Sequence, residues 1–164
     1  VFLLISMVTV GIGFILHEMA HKFTAMRYGY WAEFRKDNLM LLVAVAMAAL
    51  VGVVFAAPGA TVIYGTYITR EQNGKISAAG PAVNLVLCAV FAVLSGAAGL
   101  LSIPLLSLIG MVGLQVNAMI AAFNMLPVSV LDGKKVLAWN PAVFAVLIVT
   151  AFGILLASYF TPLF

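Results

Sequence analysis

The chain has 164 residues, of which 65% are hydrophobic and 8% charged, against roughly 45–50% apolar and about 25% charged in an ordinary soluble domain. Those proportions exclude a soluble globular protein. The formal charge of +3 comes from basic residues scattered through short loops without interleaved aromatics, which excludes a nucleic-acid footprint; in a membrane protein such residues mark the cytoplasmic side.

Apolar runs recur at Val1–Leu16, Leu39–Ala57, Ala78–Leu101, Ile103–Leu126 and Ala142–Phe160, and a spanning helix needs about 20 such residues. The expected fold is all-α and integral to the membrane: a polytopic helical bundle of about four to six membrane segments. Residues 1–164 read as a single membrane-embedded domain, with no internal repeat and no low-complexity linker. The first run begins at Val1, as in a processed or truncated chain, and it makes a poor signal peptide. A signal sequence has a basic start and a small-residue cleavage site, whereas this run leads straight into His17-Glu18-Met19-Ala20-His21.

Residues at i and i+4 lie one above the other on a helix, so the two imidazoles of that pentapeptide can bind one zinc ion. Glu18 projects near the same face, where it can take a proton from the attacking water and deliver it to the leaving amine. Packing or interfacial histidines are the bland alternative. Against it, the chain has only two histidines, and both fall in the pattern, at the end of an apolar helix where ionisable groups are costly and usually functional.

Further along, residues 59–68 are rich in β-branched and aromatic side chains and read as a strand, followed by a turn signal at Asn73-Gly74. Unpaired backbone cannot face lipid, so this strand is expected to pair with Tyr30–Arg35 or to line a watery cavity. Its edge, with Ile63 and Tyr67, is a candidate platform for an extended substrate. Cys88, the only cysteine, excludes an intrachain disulfide and a thiolate zinc finger, and it reads as helix packing.

A catalytic zinc usually has three protein ligands and one open position. Of the acidic residues, Glu33, Asp37 and Glu71 sit beside arginine or lysine and read as solvated loop charge. Asp132 closes an apolar stretch after Pro127, which should end the preceding helix, and it precedes Gly133, which permits a turn. It is the candidate third ligand, presented from irregular backbone.

With the pentapeptide followed about 110 residues later by Leu131-Asp132-Gly133, the chain resembles the site-2 protease family of intramembrane metalloproteases. Gly80-Pro81-Ala82-Val83-Asn84 is similar to that family's Gly-x-x-x-Asn segment at the start of a core helix. Asn124-x-x-Pro127-x-x-x-x-Asp132 is similar to its Asn and Pro before the aspartate. The resemblance covers most of residues 10–137. It implies that His17, His21 and Asp132 ligate zinc, that Glu18 is the catalytic acid and base, and that Asn124 and Asn84 contact the substrate or the oxyanion. It also implies a transmembrane protein substrate. Lys134 and Lys135 stand where many members have another glycine, which puts the local turn in doubt but not the ligand. The bland reading of both asparagines is helix packing; Gly80 and Pro81 read as structural, Pro81 in a first helical turn.

Zinc shared by His21 and Asp132 requires both to lie at one depth. The stretch between Arg35 and Arg70, between the His-Glu helix and the Gly80 helix, must then make no net crossing, as a re-entrant hairpin or as an outward helix with an extended return through Ala60–Ile68, although Leu39–Ala57 is apolar enough to span. That path places all eight basic residues on or near one side, the cytoplasmic one, in what is expected to be a prokaryotic cell membrane. A divalent-metal transporter and a catalytically silent membrane scaffold are the rival functions. The first would want more polar residues across the membrane. The second, resting on small-residue surfaces such as Gly96–Gly99, would not need Glu18.

Overall fold

The computed structural model describes residues 1–36, 38, 59–65, 67–128 and 130–160. Helix α1 (Phe2–Arg27) is followed by strands β1 (Trp31–Lys36) and β2 (Gly59–Tyr64), then α2 (Arg70–Leu100), α3 (Pro104–Asn124), the short α4 (Asp132–Trp139) and α5 (Pro141–Phe160). Helices α1, α2, α3 and α5 are each long and apolar enough to cross a membrane. The expected helical bundle with a small strand element is therefore what the chain forms; Leu39–Ala57 lies outside the described residues.

Local chemistry sets the helix ends. Thr69 accepts from the Gln72 backbone N–H while the Gln72 side chain accepts from the Thr69 N–H, a reciprocal cap that starts α2 at Arg70. This corrects the expected start at Ala78. Asn73 and Gly74 lie inside the first turns of the helix and form no turn, and Pro81 is interior, where it withdraws the N–H that the Ser77 carbonyl would accept. Pro104 sits in the first turn of α3, and the Asn140 side chain accepts from the N–H groups of Ala142 and Val143 at the start of α5. Helix α3 stops three residues before Pro127, as proline requires.

Strands β1 and β2 pair antiparallel, with Trp31 opposite Tyr64 and Lys36 opposite Gly59. The pairing expected for residues 59–68 is present, although the strand ends at Tyr64 and leaves Tyr67 outside it. Lys36 and Gly59 are partners, so the chain leaves β1 and enters β2 side by side; the expected no-net-crossing path between them lies outside the described residues.

Small residues let these elements approach closely. Ala25, Ala32 and Ile76 form one buried cluster under Tyr30 and Ile63; Ala121, Ala122 and Ala151 form another against Leu85 and Leu155. At the end of α3, Gly133 packs against the carbonyl of Met125, where a Cβ would collide. Gly133 is helical, so its part is close approach rather than the turn expected of it, and Asp132 opens α4 rather than lying in irregular backbone.

Candidate active site

His17 and His21 lie in the second half of α1 with their Nε2 atoms 3.0 Å apart, and both are buried. Their tautomers are set by obligate acceptors. His21 Nδ1 lies 2.8 Å from the Ile76 carbonyl oxygen, so Nδ1 carries the hydrogen. His17 Nδ1 lies 2.6 Å from Asn84 Oδ1, and the Asn84 amide is oriented by donating from Nδ2 to the Gly13 carbonyl at 3.1 Å. Both Nε2 atoms therefore present lone pairs to each other.

Asp132 Oδ2 approaches the same two atoms, 3.2 Å from His17 Nε2 and 3.1 Å from His21 Nε2. Its other oxygen faces Lys135 Nζ at 3.9 Å. Two lone pairs and an anionic oxygen on one small triangle repel one another unless a cation lies between them. A tetrahedral ion with ligand bonds of about 2.0–2.2 Å would place its donors roughly 3.3–3.6 Å apart, slightly wider than the observed edges of 3.0, 3.1 and 3.2 Å.

Helix α2 leaves room for such an ion. A Cβ at Gly80 would lie 2.5 Å from His21 Nε2 and 2.6 Å from His17 Nε2, so only glycine keeps that space open. The three residues form a group that could hold a metal ion, and the donor chemistry fits a divalent one.

Glu18 stands between the histidines in sequence but outside their triangle. Its Oε2 accepts from the Thr61 backbone N–H at 2.7 Å, and the Thr61 hydroxyl donates to the Glu18 carbonyl at 2.9 Å. Two bonds thus clip β2 to α1 at Glu18, one to its carboxylate and one to its backbone carbonyl. Since the Thr61 N–H leaves the sheet on the side away from β1, the free edge of β2 faces Glu18. Proline at position 61 would delete both bonds without breaking the ladder. A hydrogen bond to a charged group contributes about 1.5–3 kcal/mol. Thr61→Pro is expected to lower peptide cleavage roughly 10- to 100-fold with metal content unchanged, and Thr61→Ser to keep it; equal rates for the two variants would show the clip to be idle.

The other sequence candidates are dispersed. Asn84 is fully buried, and its amide is taken up by His17, Gly13 and Asn117, so it supports an imidazole rather than facing open space. Asn124 ends α3 and donates to the Ile120 carbonyl; no hydrogen bond joins it to His17, Glu18, His21 or Asp132. Ile63 packs against the Ala25 cluster, while Tyr67 is 90% exposed and lends its carbonyl to Tyr30. Thr61 and Asn117 were not among the sequence candidates. Asn117 carries a usable signal, a polar amide in the middle of an apolar helix.

No protein-family model matches the chain, and no solved structure matches it. A protein of Methanocaldococcus jannaschii named a "putative zinc metalloprotease" is 42% identical over 159 residues, which make up 96% of this chain and 81% of that protein. The chain belongs to the zinc metalloprotease family of that archaeal protein.

Proposed function

We propose that this protein is an intramembrane zinc metalloprotease of the site-2 type that hydrolyses peptide bonds of transmembrane substrates. The observation that carries this reading is the buried triangle of His17, His21 and Asp132 beside Glu18, among helices of membrane-crossing length. Zinc, when bound, supplies Lewis acidity that polarises the scissile carbonyl and acidifies water. Glu18 takes the proton of the attacking water and returns it to the leaving amine. Asn124 retains one amide hydrogen beyond the bond to Ile120, and in this reading it donates that hydrogen to the developing oxyanion.

A helical peptide bond is hidden in its own hydrogen-bond ladder, so the substrate must unwind before cleavage. The free edge of β2 suits an extended segment. Ladder alternation turns the Ile63 backbone groups the same way as the Thr61 N–H, and strand addition there would run the substrate past Glu18. All eight basic residues belong to elements at the metal end of the bundle, including β1, the start of α2 and α4. By the positive-inside rule the site faces the cytoplasm of a prokaryotic cell, from where water reaches it.

The test is zinc content together with cleavage of a transmembrane model substrate by the detergent-purified chain. The wild type should hold about one zinc and cut, lose activity to a chelator and regain it with zinc; Asp132→Ala should lose both metal and cleavage. A wild type that binds zinc, moves it across vesicles and cuts nothing would make the protein a transporter.

A further inference from the structure

We infer that Asn117 is a positioning residue for the metal centre, acting through Asn84 to hold His17 in its ligating tautomer and rotamer. The inference rests on the metal-site reading above and extends it to a residue on a third helix that touches no ligand.

The chain of bonds has one consistent direction. Asn117 Nδ2 donates to the Gly113 carbonyl at 2.8 Å, and a carbonyl can only accept. The Asn117 amide oxygen is thereby turned the other way, and it accepts from Asn84 Nδ2 at 2.9 Å. Asn84 Nδ2 has two hydrogens: one goes to the Gly13 carbonyl and the other to Asn117. With both committed, Asn84 Oδ1 is left facing His17 Nδ1. His17 must then carry its hydrogen on Nδ1 and offer the Nε2 lone pair to the metal. Both asparagines are 0% exposed, so water cannot replace any of these bonds. Outer partners of this kind fix the orientation and basicity of a ligating histidine.

A second observation is the space made for Asn117. It lies against α1 at Gly13, one turn before His17, where a Cβ would fall 2.7 Å from Asn117 Oδ1 and 3.2 Å from its Cγ. An alanine there would displace the amide without altering its chemistry. His21 supplies an internal control, because its Nδ1–H goes to Ile76 and owes nothing to Asn117.

Because the chain has only two histidines, ring-labelled histidine in the full zinc-loaded protein yields two imidazole spectra. In the wild type both rings should show a hydrogen-bonded Nδ1–H. In Asn117→Leu the His17 Nδ1–H signal should broaden or vanish while that of His21 persists, and zinc should pass to a chelator about tenfold faster. Gly13→Ala should do the same in milder form, and it serves as the test should Asn117→Leu fail to fold. Asn117→Asp, whose neutral carboxyl keeps a donor and an acceptor in place, should restore the His17 signal. An unchanged His17 signal with unchanged zinc release in the leucine and alanine variants would overturn the relay. So would loss of both histidine signals together, which would mark general loosening. A wild type that takes up no zinc would instead overturn the metal-site reading itself.

Discussion

Glu18→Gln is expected to stop peptide cleavage while leaving the metal in place. Glutamine has the shape of glutamate and keeps an oxygen for the Thr61 N–H, which now bonds Glu18 Oε2 at 2.7 Å, so β2 should stay clipped to α1. What disappears is the capacity to take a proton. General acid–base groups contribute about 10²- to 10⁴-fold, and in the proposed mechanism Glu18 serves both halves of the reaction. A loss on the order of 10³-fold, equivalent to about 4 kcal/mol of barrier, is the expected reading at constant zinc content. Zinc lost along with activity would make Glu18 a ligand instead. Glu18→Ala should be no faster, since it also releases Thr61; a rate above that of Glu18→Gln would mean that the base lies elsewhere.

What could be read beforehand, and what could not, divides by range of interaction. His17 and His21 lie four residues apart on one helix, so their shared face follows from i, i+4 geometry alone, with Glu18 beside it. Asp132 was reachable because the acidic residues are few and the others sit beside basic ones. The strand at residues 59–64 announced itself through β-branched side chains, and its partner was legible because few polar stretches remained to pair with it. The start of α2 was misplaced for a local reason: Asn73-Gly74 is a strong turn signal, yet the cap at Thr69 and Gln72 outweighs it once Gly74 is packed against Trp139.

The roles of Asn84 and Asn117 were a different case. They meet across 33 residues of sequence, and whether an amide in an apolar helix faces a ligand, a neighbour or a substrate depends on helix rotation, which no local pattern encodes. The clip between Thr61 and Glu18 is of the same kind, with partners 43 residues apart.

Gly80→Ala tests the metal centre from the side that holds no ligand. The added methyl would stand 2.5 Å from His21 Nε2 and 2.6 Å from His17 Nε2, against the two atoms that a shared ion would bind. Alanine is the better helix former by about 0.8–1.0 kcal/mol, so the backbone of α2 gains from the change, and the cost falls on the imidazoles. Zinc affinity is therefore expected to drop by at least about 100-fold, with cleavage falling alongside, while α-helical content and the β1–β2 pairing persist. Reading zinc content and circular dichroism on one preparation separates the two effects. Loss of helix with loss of zinc would show Gly80 to be a packing residue and no more. Full zinc affinity with an intact fold would place the ion on the far face of the histidine pair, away from α2. In that case the substrate would have to approach from the α2 side, and the free edge of β2 could not be its track.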